Sequence, residues 1–219
     1  GTTIPLFLCL KEIKMEHYVN HYNEKGWVHI PNLIDSDVID VVRTIGISMR
    51  EEYSKYSSWK GISCAGRFNE TLSEIYTSSV MMDLSKNILG DSVYLFNDQL
   101  VMKFPNDSLE FKAHFDNQFG PDNNRGIHTI NVSWVLDDIT IENGSFEIQN
   151  LDNKKWCTPV LKIGDVIVIG GNTLHRSYTN TSDSARGLYA CVYSDKPIEF
   201  TGFYNEPFDS TNKRSIDVK

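Results

Sequence analysis

The chain has 219 residues, 40% hydrophobic and 23% charged, and at roughly 150 residues per domain that length suits one large domain better than two. No apolar run approaches the ~18 residues of a membrane span, and the composition is that of an ordinary globular protein, which sets aside membrane-spanning, collagenous and disordered readings. With 21 basic against 29 acidic residues the net charge is −8, a field that repels phosphate backbones and anionic lipid, so neither nucleic acid nor a membrane surface is expected as a partner.

In chain order, Ile4 to Leu10 is apolar but short. It lacks a basic lead-in and a cleavage pattern, and reads as a packed N-terminal stretch rather than a leader. A helical pattern runs from Ile13 to Lys25 and stops at Gly26, which can take the left-handed conformation past a helix end. Trp27 to Ile30 reads as a short strand ending at Pro31. Asp35 or Ser36 can cap a second helix, with Val38, Val41, Val42, Ile45 and Met49 at helical spacing and an end near Tyr53. Ser54 to Asn69, rich in Ser and Gly and carrying Trp59, Arg67 and Phe68, shows neither period and reads as a loop. A third helix is expected from about Ser73 to Leu89, closed by Gly90.

Beyond Asp91, segments rich in Val, Ile, Tyr and Phe alternate with Asn, Asp and Gly clusters as far as about Tyr204. The expected strands are Val93 to Phe104, Ile127 to Leu136, Gly144 to Gln149, Asp165 to Gly170, His175 to Thr179 and Arg186 to Ser194. Helices followed by strands without intervening helices predict a mainly β fold of the jelly-roll kind, an antiparallel sandwich or barrel with helices packed outside. The expected organisation is one domain over 1–219, with a helical part at 13–90, a β core at 91–204 and a polar tail from about Asp209. Cys9, Cys64, Cys157 and Cys191 lie far apart with no CxxC pair, so reduced thiols and a cytoplasmic location are expected.

Of six histidines, His17, His21 and His29 fall in the helical part, where a packing role is the default. His114 and Asp116 differ, because an HxD pair in extended backbone puts both side chains on one face, where they can grip one ion. Spacing alone fits equally a loop histidine bonded to its neighbour. His175 follows the apolar run Val166 to Ile169 and a Gly-Gly-Asn break, so its ring emerges at a strand end. A face of two histidines and one carboxylate then becomes possible, which leaves three octahedral positions open, as in non-heme Fe(II) oxygenases.

Arg186 follows a turn-prone TNTSDSA and, counted in twos, shares a face with Leu188, Ala190 and Val192. It therefore points inward, where a guanidinium needs an anionic partner. No inward carboxylate is left over in the strand pattern, so the distal carboxylate of a bound dicarboxylic acid is one candidate. An exposed or interface arginine is the other.

HFD at His114 to Asp116, LDDITIENGSFEI at Leu136 to Ile148, GDVIVIGGNTLHRSYTN at Gly164 to Asn180 and Arg186 in SARGLYACVYSD together resemble the phytanoyl-CoA dioxygenase-like family of Fe(II)- and 2-oxoglutarate-dependent oxygenases, which includes ectoine hydroxylase. YNEKGWVHIPNLIDSDVID resembles that family's opening helix and strand, so the likeness spans roughly Tyr18 to Tyr204. The resemblance implies a double-stranded β-helix, Fe(II) held by His114, Asp116 and His175, 2-oxoglutarate chelating the iron and salt-bridged to Arg186, and molecular oxygen as co-reactant. It also implies that Gln99 and Lys103, which share one strand face, and the polar stripe Thr129, Asn131 and Ser133 line the cosubstrate or substrate pocket; a polar stripe of this kind can also simply face water. Family halogenases carry a small residue in place of Asp116, so hydroxylation of a small organic molecule is the implied activity.

The chain departs from the family after ENGSFEI, where QNLDNKKWCTPV replaces a Pro-Gly-Ser-His phrase and a longer insertion. It reads as a compact member, and scattered lysines at Lys60, Lys154, Lys155 and Lys162 offer no cradle for CoA phosphates. The loops 54–69 and 117–125 are the expected pocket rims. Two rival readings stand: a cupin-like metalloenzyme that uses no 2-oxoglutarate, and a jelly-roll binding module without catalysis.

Overall fold

The computed structural model describes residues 15–55, 61–119, 126–201 and 207–209. The expected N-terminal stretch, Trp59, residues 120–125 and most of the polar tail lie outside them.

Helix α1 (Met15–Lys25) ends where expected, because Gly26 adopts φ +80. Strand β1 (Trp27–Ile30) follows, then α2 (Ser36–Tyr53) after Asp35, whose backbone is extended but whose side chain makes no cap bond. The buried stripe of α2 is Ile39, Val42, Gly46 and Arg50, one position round from the expected apolar set. The expected third helix is two: α3 (Glu70–Tyr76) and α4 (Ser79–Leu89). The break falls at Thr77 and Ser78, poor helix-interior residues, and Ser78 takes the extended conformation (φ −62, ψ 152) that begins a new helix.

The expected loop 54–69 also needs correction. Gly61–Ser63 forms β2, followed by a 3₁₀ turn at Ala65–Arg67. With Ile62 its only large apolar residue this strand has no pattern of its own, and it exists because it pairs with β3 (Tyr94–Lys103), Ile62 opposite Leu100.

The remaining strands are β4 (Phe111–His114), β5 (Thr129–Val135), β6 (Phe146–Gln149), β7 (Trp156–Cys157), β8 (Val166–Gly170), β9 (His175–Ser177), β10 (Arg186–Ser194) and a hairpin of β11 (Glu199–Thr201) with β12 (Pro207–Asp209). All pairings are antiparallel. A six-stranded sheet runs β1-β8-β5-β10-β3-β2, and a four-stranded sheet runs β4-β9-β6-β7. The helical part thus supplies two strands, one at each edge of the larger sheet.

Two apolar clusters follow from strand alternation. One packs the helices onto the outer face of the larger sheet and includes Ile39, Val42, Leu72, Met81, Leu100, Val132, Trp134, Val168, Tyr189 and Tyr193. The other lies between the sheets and includes Trp27, Val101, Val135, Phe146, Ile148, Ile167, Ile169 and Leu188. This is the jelly-roll sandwich with external helices that the strand pattern implies. No helix among the described residues is long and apolar enough to cross a membrane.

Candidate active site

Strand β4 ends at His114, and the chain turns at once into a 3₁₀ turn beginning at Asp116. The pair therefore meets through a strand end and a turn, not through two positions of one strand. Across the β4–β9 ladder His114 lies opposite His175, with ring centroids 4.3 Å apart. Asp116 Oδ1 stands 3.5 Å from Nε2 of each histidine, and the ligand atoms of all three residues lie within 4.8 Å of one another.

Both rings are oriented from behind. His114 Nδ1 faces the Lys112 carbonyl at 2.6 Å and His175 Nδ1 faces the Thr173 carbonyl at 2.9 Å. A carbonyl can only accept, so each Nδ1 carries a proton, and Nε2 is the ring atom that each histidine turns toward Asp116.

Electrostatics favour the metal-binding form at His175 and Asp116, while in the metal-free site the Asp116 contact favours a protonated His114. Burial pulls the His175 imidazole below its ordinary range, against the Asp116 charge. Burial also acts to lower His114 and to raise Asp116, but in each case the contacts win: Asp116 and the Lys112 carbonyl lift His114, while His114, His175 and Asn131 hold Asp116 below the usual carboxylate range. A neutral imidazole at His175 and an ionised Asp116 are the forms that bind metal. The donor set fits a divalent first-row ion with open positions.

Strand β5 grips the turn that carries Asp116. Asn131 Nδ2 donates to Asp116 Oδ2 at 3.1 Å, and Ser133 Oγ donates to Asn131 Oδ1 at 2.8 Å. Thr129 Oγ1 donates to Asn117 Oδ1 at 2.5 Å, while Asn117 N donates to the Gly171 carbonyl and Gly171 N to the Thr129 carbonyl. The approach at Gly171 is so close that a Cβ there would run into Thr129 Oγ1 and the Asn117 side chain. The Gly-Gly break before His175 is thus a packing requirement.

Further along the same interior, Arg186 of β10 lies directly opposite Lys103 of β3, and the two are 1% and 0% exposed. Lys103 Nζ donates to Ser177 Oγ at 2.9 Å and to the Tyr178 carbonyl. Arg186 Nε and Nη2 have no hydrogen-bond partner among the described residues. The carboxylate whose charge Arg186 feels, Asp137, already accepts from Arg43 and from Gly187 N. Burial and the Arg186 charge push Lys103 down to about 7, and burial pushes Arg186 down to about 10. Two adjacent buried cations without an ion-pair partner among the described residues are costly, and they match one end of a dianion.

The structure brings some of the expected site residues together and separates others. His114, Asp116 and His175 come together, and Lys103 joins Arg186. Asn131 and Thr129 do not lie beside those cations; they contact Asp116 and Asn117. Gln99 is half-buried on the inner face, with Nε2 at 3.4 Å from Ser63 Oγ. Ser177 was not anticipated, and Asn117 and Gly171 were expected only as part of a pocket rim and of the Gly-Gly-Asn break, not in the contact with Thr129. Ser177 was within reach, since it lies two residues beyond His175 on the same strand face.

No protein-family model matches the chain. L-proline trans-4-hydroxylase from Streptomyces griseoviridis is 26% identical over 136 residues, covering 58% of this chain and 51% of the relative, so the chain spans about half the length of the curated relative it matches. Among solved structures, the non-heme alpha ketoglutarate dependent carbocyclase SnoK from nogalamycin biosynthesis superposes with a TM-score of 0.73 at 18% identity, covering 84% of this chain and 85% of that one. EctD from S. alaskensis, solved with 2-oxoglutarate and 5-hydroxyectoine, gives 0.73 at 16% identity over 83% of this chain and 76% of that one. Its form with bound Fe gives 0.72 at the same identity and coverage. These likenesses show the fold, which the chain shares with SnoK and EctD.

Proposed function

We propose that the protein is an Fe(II)- and 2-oxoglutarate-dependent dioxygenase that hydroxylates a small organic molecule. The observation that carries this reading is the buried Lys103–Arg186 pair, two basic groups without an ion-pair partner among the described residues, sharing one interior with the His114, Asp116 and His175 cluster. Solved relatives of this fold include one holding iron and one holding 2-oxoglutarate. The same pair disfavours a cupin-like metalloenzyme without a dicarboxylate and a module without catalysis.

In this reading His114 Nε2, His175 Nε2 and Asp116 Oδ1 hold the metal. Arg186 and Lys103 take the distal carboxylate of 2-oxoglutarate, the guanidinium as a two-pronged donor and the ammonium as a point charge steadied by Ser177. The bound iron and cosubstrate supply the oxidising power: 2-oxoglutarate and O₂ give succinate and CO₂, one oxygen atom entering succinate and the other the new hydroxyl group. The chain's own contribution is position and a shielded cavity, with Val101, Val135 and Leu188 forming an apolar band on the inner face between the cations and the polar row above them.

Residues 1–219 act as one catalytic domain in this proposal. Cys64, Cys157 and Cys191 are free thiols, which suits the reducing cytoplasm. The test is an anaerobic titration with Fe(II) and 2-oxoglutarate. A weak visible charge-transfer band that needs both, together with oxygen-dependent succinate formation, supports the assignment, and its absence with both present removes it.

A further inference from the structure

We propose that Asn131, held by Ser133, is a positioning residue that presents a single oxygen of Asp116 to the metal. This rests on the metal-binding reading above and reassigns Asn131, which the motif resemblance had placed among the cosubstrate contacts.

The two oxygens of Asp116 have different neighbours. Oδ1 is the atom equidistant, at 3.5 Å, from the two histidine Nε2 atoms. Oδ2 is turned away from them and accepts from Asn131 Nδ2 at 3.1 Å. A carboxylate without such a partner can rotate about its last bond and offer both oxygens to one ion. It would then occupy one of the three positions that two histidines and one carboxylate leave open. A donor fixed on Oδ2 opposes that rotation.

An asparagine holds this role only if its amide cannot flip, because the flipped amide would set oxygen against oxygen. The ionised Asp116 only accepts, so it requires Nδ2 on its side, and Ser133, 4% exposed, completes that orientation by donating to Asn131 Oδ1 at 2.8 Å. Residues 131 and 133 lie two apart on one face of β5, which is hydrogen-bonded on both sides, to β8 and to β10. Asp116, by contrast, sits at the start of a short turn. The amide thus ties a ligand on a short turn to a central strand paired along both edges. The Thr129 bond to Asn117 is a second tie from the same strand to the adjacent residue, so the turn is held at two successive positions.

The test uses the metal-free full chain titrated with Co(II), whose visible spectrum reports coordination number, beside Fe(II) affinity and the KM for 2-oxoglutarate at saturating Fe(II). Asn131→Ala is expected to weaken metal affinity by about 10 to 100-fold, the range for partners that orient a ligand, and to shift the Co(II) spectrum, while the KM for 2-oxoglutarate stays within about twofold of the parent. Ser133→Ala should move metal affinity in the same direction by less, and serves if Asn131→Ala does not fold. Asn131→Ser, which keeps a short donor, should recover part of the loss.

Unchanged metal affinity and Co(II) spectrum in both variants overturn the inference, as does a raised KM for 2-oxoglutarate with metal affinity intact, which would return Asn131 to the cosubstrate. Failure of the parent protein itself to bind Co(II) or Fe(II) is a different result, since it removes the metal reading and not just the part played by Asn131.

Discussion

The two faces of the six-stranded sheet treat buried polar groups in opposite ways. On the helix-covered face the tyrosines of β10 end on partners inside the protein: Tyr189 donates to the Leu72 carbonyl and to Asp98 Oδ2, and Tyr193 donates to the Tyr76 carbonyl. Asp98 also accepts from Gly66 N. On the inner face the same strand presents Arg186, with Nε and Nη2 unmatched among the described residues. On the first face these hydroxyls are satisfied without a ligand and contribute stability. The second is left open at one end, and a protein tolerates that cost only where something else completes it.

The comparison breaks most visibly at its extremes. Trp134→Ala on the covered face, where the indole is fully buried and donates to Met81 Sδ, should cost about 3–5 kcal/mol in denaturant unfolding. His114→Ala or His175→Ala should abolish Fe(II) binding and turnover with a far smaller change in unfolding free energy and unchanged circular dichroism. Undiminished 2-oxoglutarate decarboxylation in either histidine variant would sink the metal site. Asp116→Gly sharpens the point: at saturating Fe(II), near-complete loss of hydroxylation marks Asp116 as a ligand, and substantial recovery marks it as a neighbour that only orients His114.

A smaller effect is expected at the cationic end. Arg186→Lys keeps the charge and loses the planar fork, so the KM for 2-oxoglutarate should rise roughly tenfold or more, in line with the ~1.5–3 kcal/mol of a charge-assisted hydrogen bond, while metal affinity survives. Lys103→Met should also weaken 2-oxoglutarate, yet raise the melting temperature of the ligand-free protein, because it removes one of two adjacent buried cations. A variant that loses stability and keeps its cosubstrate affinity would show that Lys103 serves the fold.

The smallest effect, and the one that separates the faces most cleanly, is in pH dependence. Burial raises Asp98 from 3.8 to about 6, so the folded state holds more protons than the unfolded one between those values and this residue's contribution falls as pH rises through them. Lys103 is the reverse. Its amine is pushed from 10.5 to about 7, so the folded state holds fewer protons between those values and its contribution grows as pH rises through them. Asp98→Asn should therefore flatten the ligand-free stability profile on the acid side, and Lys103→Met on the alkaline side. Calorimetry of 2-oxoglutarate binding near pH 8, in buffers of different ionisation enthalpy, should show uptake on the order of one proton as the dianion restores the ammonium; no uptake in the parent protein would show that the ligand does not reach Lys103.

What the sequence determined by itself is what depends on neighbours along the chain. Alternation over β10 set Arg186 on the face opposite Tyr189, Gly26 marked the end of α1, and the HFD phrase and the His175 segment marked the three ligand candidates. Tertiary structure decided what depends on which strands meet. β2 exists only through its pairing with β3. The Lys103–Arg186 apposition requires the β3–β10 register, and the Asn131–Asp116 bond joins a central strand to a turn from the opposite sheet. The reason is physical: side-chain alternation is a property of one strand, whereas register between strands distant in sequence is chosen by how the whole sandwich buries its apolar faces.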